Sequence, residues 1–282
     1  MNSVFRCGRF DFRIPTEPYR PLVMGILNVT PDSFSDGGHY RSLELALDHA
    51  QSMIDAGVDI IDIGGESSRP GALPLGLQEE LDRVMPAVFA LRDCGVAISV
   101  DTYKPEVMQE AVAAGADMIN DIKGFHSDAA VNAVKDSDVG LCVMHMLKTP
   151  LDMQEEPEYA DVFDQVVAFL RKKSEALIEN GIDKDRIVLD PGFGFGKDLS
   201  HNLTLFKRMP QMLAELQLPL LAGVSRKSMI GEITGRTIEQ RLAGSVAAAL
   251  SAAQKGAFVV RVHDVRETVD ALKVMRALNT DN

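Results

Sequence analysis

The chain has 282 residues, 46% hydrophobic and 25% charged, ordinary proportions for a globular protein with one large core or two smaller ones. A formal net charge of -12 sets up a field that repels nucleic acid and anionic membrane, so an anionic ligand has to be met by a local cluster of bases. Cys7, Cys94 and Cys142 form an odd, scattered set with no C-x-x-C pair, which argues against a disulfide scaffold or a zinc site and fits a reducing cytoplasm.

The first twenty residues carry no apolar signal-peptide core, and no run is long enough to span a membrane. Arg9 to Ile14 alternate as a short strand does, so residues 1–20 are expected as a strand segment packed on a single domain at 21–282. Leu22 to Val29 reads as a buried strand, followed by a polar loop from Thr30 to Tyr40. Leu43, Ala46, Leu47, Ala50, Met53 and Ile54 then recur at helical spacing until Gly57 stops the helix. The unit repeats. Val58 to Ile63 precedes the loop G-G-E-S-S-R-P-G-A and a helix over Leu77 to Leu91. Val96 to Val100 leads to Asp101 and a helix begun by Pro105, a residue favoured in a first turn. Met118 to Ile122 is a short strand, and Val139 to Met146 another, with a longer loop before a helix carrying Val162, Phe163, Val166, Val167, Leu170, Leu177 and Ile178. Ile187 to Asp190, with a helix at Leu203 to Leu216, then Pro219 to Val224 and Ala257 to Val262, bring the strands to eight. Asp264 stands three residues ahead of Glu267, a capping-box-like start to the last helix. Eight apolar strands alternating with helices, uninterrupted by a linker, predict an α/β fold of the (β/α)8 TIM barrel type. The alternative, an open doubly wound sheet, would stop at roughly five or six strands.

The stretch R-I-V-L-D-P-G-F-G-F-G-K, Arg186 to Lys197, runs from an apolar strand into a carboxylate, a proline and three alternating glycines. Either Asp190 is delivered to the barrel mouth, with Gly192, Gly194 and Gly196 letting the chain lie close to a ligand, or the segment is a glycine-rich connector with an incidental acid. It is neither a Walker loop, since Asp198 follows Lys197, nor a dinucleotide fingerprint. A barrel gathers its site at the carboxyl ends of the strands, and there the unusual residues collect: Asn28, Asp101, Asn120, His145, Asp190, Arg261 and His263. Buried acids and amides cost several kcal/mol, roughly, unless paired, and a ligand rich in N–H donors would satisfy Asp101, Asn120 and Asp190 together. Helix capping is the plainer use of each acid. Ser225-Arg226-Lys227-Ser228 leads into a short helix whose start favours anions, and Arg261 and His263 share one strand face, so the residues predict a donor-rich ring bound beside a phosphate or diphosphate. Arg226 alone also reads as a surface base. The loops 30–40 and 64–72 are placed to close over the site. His39, His49, His126 and His201 lack metal-ligand spacing, and Cys142 reads as a buried hydrophobe. The helix from Leu242 to Ala253 is apolar almost all round, which calls for burial against the barrel or a second subunit.

From about Met24 to Met275 the chain resembles the dihydropteroate synthases. The resemblance rests on M-G-I-L-N-V-T-P-D-S-F-S-D-G-G, D-I-G-G-E-S-S-R-P-G-A, I-S-V-D-T, I-N-D-I, V-M-H-M, L-D-P-G-F-G-F-G-K, S-R-K-S-M-I-G and R-V-H-D-V, in the family's order. It implies condensation of 6-hydroxymethyl-7,8-dihydropterin diphosphate with p-aminobenzoate to 7,8-dihydropteroate and diphosphate, with Asp101, Lys227 and Arg261 closest to the chemistry. It further implies a pterin held by Asp101, Asn120, Ile122, Asp190 and Lys227, and a diphosphate held by Asn28, Ser68, Arg69, Arg261 and His263, with Mg2+ joining through Asn28. Phe34, Pro70, Phe195 and Ser228 correspond to the p-aminobenzoate pocket, the sulfonamide target, in a cytoplasmic homodimer. The family's E-S-T-R-P is E-S-S-R-P here, Tyr103 stands where serine is common, and Leu147 and Lys148 replace Gln-Gly. Related barrels serve corrinoid-dependent methyl transfer, which needs no diphosphate cradle, so S-R-K-S with R-V-H speaks against that reading; intact motifs speak against a pterin-binding paralogue without turnover.

Overall fold

The computed structural model describes residues 4–14, 20–29, 38–67, 71–149, 151–153 and 157–279, with 38–42 as backbone alone. An antiparallel hairpin, β1 (Val4–Cys7) and β2 (Phe10–Arg13), opens the chain and turns at Gly8, whose φ of 57° suits glycine. β2 is the strand expected from the alternation; β1, four residues long, has no counterpart in that reading. The parallel strands β3 (Leu22–Asn28), β4 (Ile60–Gly64), β5 (Ala97–Asp101), β6 (Met118–Asp121), β7 (Gly140–Met144), β8 (Ile187–Asp190), β9 (Leu221–Ala222) and β10 (Val259–Val262) run in the order β8-β7-β6-β5-β4-β3-β10-β9. A parallel bridge between Leu189 and Leu220, with the Leu189 N–H donating to the Pro219 carbonyl at 2.9 Å, joins the two ends into a barrel.

The helices α1 (Gly38–Ala56), α2 (Leu77–Leu91), α3 (Pro105–Ala114), α4 (Asp128–Val134), α5 (Val162–Glu179), α6 (Leu199–Lys207), α7 (Met209–Leu216), α8 (Ser228–Thr234), α9 (Leu242–Gln254) and α10 (Val265–Asn279) surround it. Three differ from expectation. α4 is too short for its period to stand out, α1 begins inside the expected Thr30–Tyr40 loop, and the helix expected at Leu203 to Leu216 is two, because Pro210 starts α7 afresh. Within the single chain α9 turns Ser245, Ala249, Ala252 and Ala253 inward, while Leu242 is 40% exposed.

Period-two alternation sorts the strand residues. Ile61, Ile63, Ile98, Val100, Ile119, Leu141, Val143, Leu189, Val260 and Val262 pack outward in one core with the helices. The first inward residues, Met24, Ile60, Ala97, Met118, Cys142, Val188, Leu221 and Val259, make a second cluster inside the barrel, and Phe5 and Cys7 of β1 plug it from below. Each such large side chain contributes about 1.5–3 kcal/mol on burial. Phe5 meets Phe258 edge to face, ring centroids 6.0 Å apart. Buried Asp117 fastens the hairpin, accepting from Arg9 Nε at 2.8 Å and from the Ile98 N–H at 2.9 Å. Two residues further along five of these strands the inward position turns polar, at Asp62, Ser99, Asn120, Asp190 and Arg261, while Ile26, Met144 and Gly223 take it on the other three.

Candidate active site

Above that polar layer opens a cavity of about 1000 Å³ at the carboxyl ends of the strands. Asn28, Asp101, Asn120, Ile122 and Asp190 line it, together with Phe195, Lys227, Ser228, Arg261 and His263. The structure thus brings together every described residue that the sequence singles out as a ligand contact. Phe34, Ser68, Arg69 and Pro70 lie outside the described residues. An adjoining hollow of about 450 Å³ shares Asn28 and His263 and reaches the start of α10.

Arg261 organises the floor. Its Nε donates to Asp62 Oδ2 at 2.6 Å and its Nη2 to Asp101 Oδ2 at 2.8 Å, while Asn120 Nδ2 donates to Asp62 Oδ2 at 3.1 Å. Burial pushes the Asp101 carboxyl up to about 7 against the downward pull of Arg261. A protein cation, rather than a helix cap, answers both acids. Asp62, fully buried, had no role in the sequence reading; the available signal was a carboxylate inside the apolar run I-I-D-I-G. Asp62 Oδ1, Ser99 Oγ and Asn120 Oδ1 have no hydrogen-bond partner among the described residues, and of the three Asn120 lines the cavity, where its amide oxygen is left for a ligand.

Asp190 Oδ1 accepts from the Gly192 N–H at 2.7 Å, and Oδ2 lies beside Gly223, where a Cβ would stand 3.8 Å from it. Burial raises its pKa, with the Gly192 N–H, Lys227 and Arg261 opposing. Lys227 Nζ sits 3.9 Å from the Phe195 ring centroid, and burial brings it down to about 8. Gly194 has a φ of 79°, and a Cβ there would come within 3.2 Å of Lys227 Cδ. His263 Nδ1 lies 3.0 Å from Ser225 Oγ, and burial, then Arg261, pushes the imidazole down to about 3, leaving it neutral. Arg226 is no free surface base: Asp264 holds it, with Nε donating at 3.0 Å, and that pairing occupies the acid expected to cap α10.

The glycine run has a use the sequence did not disclose. A Cβ at Gly192 would strike the His145 backbone, and one at Gly196 would come within 2.6 Å of Leu147 Cβ; only Gly194 makes room toward the cavity. Lys197, 1% exposed, ties the fold-back, its Nζ donating to the Gly192 carbonyl at 2.9 Å, the Phe195 carbonyl at 3.0 Å and His145 Nδ1 at 2.9 Å. His145, grouped with the mouth residues by sequence, faces this loop instead of the cavity. Phe195 then joins Ile122, Met144 and Met153 in a small apolar cluster bordered by Tyr103 and Met146. The Tyr103 hydroxyl donates to Glu66 Oε1 at 2.8 Å, and Glu66 Oε2 accepts from the Leu75 N–H at 3.0 Å, so the residue that departs from the family pattern helps to hold Glu66. Among the described residues no trio of His, Cys, Asp or Glu gathers as a metal cluster, and no helix is long and apolar enough to cross a membrane.

Residues 24–263 match the family described as pterin binding enzymes. The dihydropteroate synthase of Escherichia coli strain K12 is 50% identical over 258 residues, 91% of each chain. The solved Xanthomonas albilineans dihydropteroate synthase with 4-aminobenzoic acid superimposes with a TM-score of 0.91 at 48% identity, covering 100% of both chains. That of Burkholderia cenocepacia, complexed with 7,8-dihydropteroate, gives a TM-score of 0.88 at 48% identity over 98% of this chain and 96% of that one. With these likenesses spanning the whole barrel, the chain belongs to the dihydropteroate synthases, a family of pterin binding enzymes.

Proposed function

We infer that the cavity condenses 6-hydroxymethyl-7,8-dihydropterin diphosphate with p-aminobenzoate, releasing diphosphate and 7,8-dihydropteroate. The observation that carries this reading is one cavity in which acids and amides (Asp101, Asn120, Asp190), bases (Lys227, Arg261) and an apolar wall (Ile122, Phe195) all meet. Asp190 and Asn120 take the hydrogens of the pterin's amino and ring N–H groups, and Lys227 donates to its carbonyl and ring nitrogen. Arg261 keeps Nη1 for the diphosphate while its other nitrogens hold Asp62 and Asp101. Neutral His263, Asn28, Ser68 and Arg69 complete that cradle.

In the reaction the bond from the exocyclic methylene carbon to the diphosphate oxygen breaks, and its electron pair leaves with the diphosphate. The cation left behind spreads over the pterin ring, where ionised Asp101 favours it electrostatically. The arylamine nitrogen then attacks the methylene carbon and gives one proton to water. Phe34, Pro70, Phe195 and Ser228 hold the benzoate ring and its carboxylate. Asn28, half-buried at the end of β3, offers one hard oxygen ligand. Asn28 would be the residue that holds a Mg2+ ion, which would supply charge neutralisation on the leaving group. The open outer face of α9 supports a homodimer, and the thiol pattern a cytoplasmic setting. A coupled assay for diphosphate release tests the reading: release should require pterin diphosphate and yield dihydropteroate only with p-aminobenzoate, and a protein releasing none would overturn it.

A further inference from the structure

Lys227 is carried by a turn that the backbone does not adopt by itself. The residue before it, Arg226, has a φ of 56°, the left-handed region that L side chains rarely enter, without being Gly, Asn or Asp. Three partner residues hold that one residue. Its N–H donates to Ser245 Oγ at 2.9 Å, its carbonyl accepts from Arg241 Nη1 at 3.0 Å, and its side chain is held by Asp264. Arg241 Nη1 also lies 3.3 Å from the Lys227 carbonyl. The two backbone anchors belong together: Ser245 is one turn beyond Arg241, and its hydroxyl donates to the Arg241 carbonyl at 2.7 Å. Arg241 reaches the turn across Gly231, where any Cβ would collide with the guanidinium. Ser245 is 3% exposed, so its hydroxyl serves the protein.

We propose that Ser245 and Arg241 are positioning residues that hold Arg226 in its left-handed turn and so aim Lys227 at the pterin; this rests on the reading above that Lys227 binds the pterin. If the anchors are removed, Arg226 relaxes to negative φ, the following peptide rotates, and Nζ leaves its station over Phe195. Both residues act through the backbone, so their loss weakens pterin binding without removing a ligand group.

The test compares Ser245→Ala and Arg241→Met with the wild type in calorimetry with pterin diphosphate, in steady-state kinetics for both substrates, and in thermal unfolding. Each variant should lose pterin diphosphate affinity by about tenfold, the usual order when a buried N–H or C=O loses its partner. KM for p-aminobenzoate, whose pocket shares Phe195 and Ser228 with this turn, should rise by less than pterin affinity falls. Adding Arg226→Gly to Ser245→Ala should recover much of the affinity, because glycine holds a positive φ without anchors. Unchanged pterin affinity in both variants beside an active wild type overturns the proposal alone. So does a loss confined to the KM for p-aminobenzoate, which would make Arg241 a contact of the amine substrate's carboxylate. So, too, does a crystal structure of the Ser245→Ala, Arg241→Met double variant in which Arg226 keeps its positive φ. A wild type that binds no pterin diphosphate overturns the functional reading together with it.

Discussion

Arg261 and Asp62, 199 positions apart in the chain, meet across the floor of the barrel at 2.6 Å, with the acid fully buried. Asp62→Asn leaves the guanidinium with Asp101 alone and sets an amide against it. Breaking one side of such a buried pair costs about 3–5 kcal/mol. Urea unfolding should show a loss of that order, accompanied by weaker pterin diphosphate binding; a variant as stable as the wild type would mean that Asp101 alone suffices.

Asp190→Asn and Asp101→Asn should fail in different ways. The first puts an amide where two ring hydrogens need acceptors, and truncating a buried charged hydrogen bond costs about 2–5 kcal/mol, so pterin affinity collapses. The second removes the charge that favours the cation, which should slow single-turnover diphosphate loss by roughly a hundredfold to a thousandfold while the pterin still binds. Equal losses of affinity in both, with no separate loss of rate in Asp101→Asn, would refute the division.

The rate of diphosphate loss should follow a narrow bell in pH. Asp101, raised to about 7 by burial, gains its charge as pH climbs through that value, and Lys227, lowered to about 8, surrenders its charge above that one. The acid limb therefore rises through about 7 and the basic limb falls beyond about 8. Asp101→Asn should erase the acid limb, and a profile that keeps it would assign that limb to another group.

Lys197 gives a stability signature instead. Burial brings its ammonium down to about 7 in the fold, while the unfolded chain keeps its proton to the ordinary lysine range. Between those values the unfolded state binds the extra proton, so the wild type gains stability as pH rises. Denaturant unfolding at about pH 7 and about pH 9 should favour the wild type over Lys197→Met increasingly, by at most about 1.4 kcal/mol per pH unit. A gap that narrows on raising the pH would contradict a charge buried at this cost.

Lys148 stands at a φ of 61°, in the position where the family pattern has glycine. Lys148→Gly should relieve roughly 1 kcal/mol of backbone strain and raise the melting temperature by a few degrees at most. A lower melting temperature would show that the lysine side chain outweighs the strain.

The strands were legible because their residues alternate: outward positions are mostly apolar, and inward ones change from apolar to polar along five of the eight, so Asp101, Asn120, Asp190 and Arg261 announced themselves at the ends of apolar runs. Asp62 did not, since its partners Arg261 and Asn120 arrive from distant strands and only closure of the barrel sets them side by side. For the glycines of 192–196 the sequence leaves open a close approach to a ligand or a plain connector. Two of them are pressed by residues 145–147, a segment some 50 positions earlier in the chain, which no local pattern can reveal. The hold of Ser245 and Arg241 on Arg226 is equally invisible, because nothing in S-R-K-S declares a positive φ at an arginine.

Phe5 lies against Phe258 and in one cluster with Val259, so nearly the first residues of the chain rest on its last strand. During synthesis the β1–β2 hairpin leaves the ribosome before any of its supports: Asp117 follows midway, and Phe258 with Val259 much later. Closure of so long a loop is entropically costly and slow. Until β10 is in place the barrel stays open and the apolar floor over Phe5 lacks Phe258 and Val259, so sealing of the base is a late event in folding.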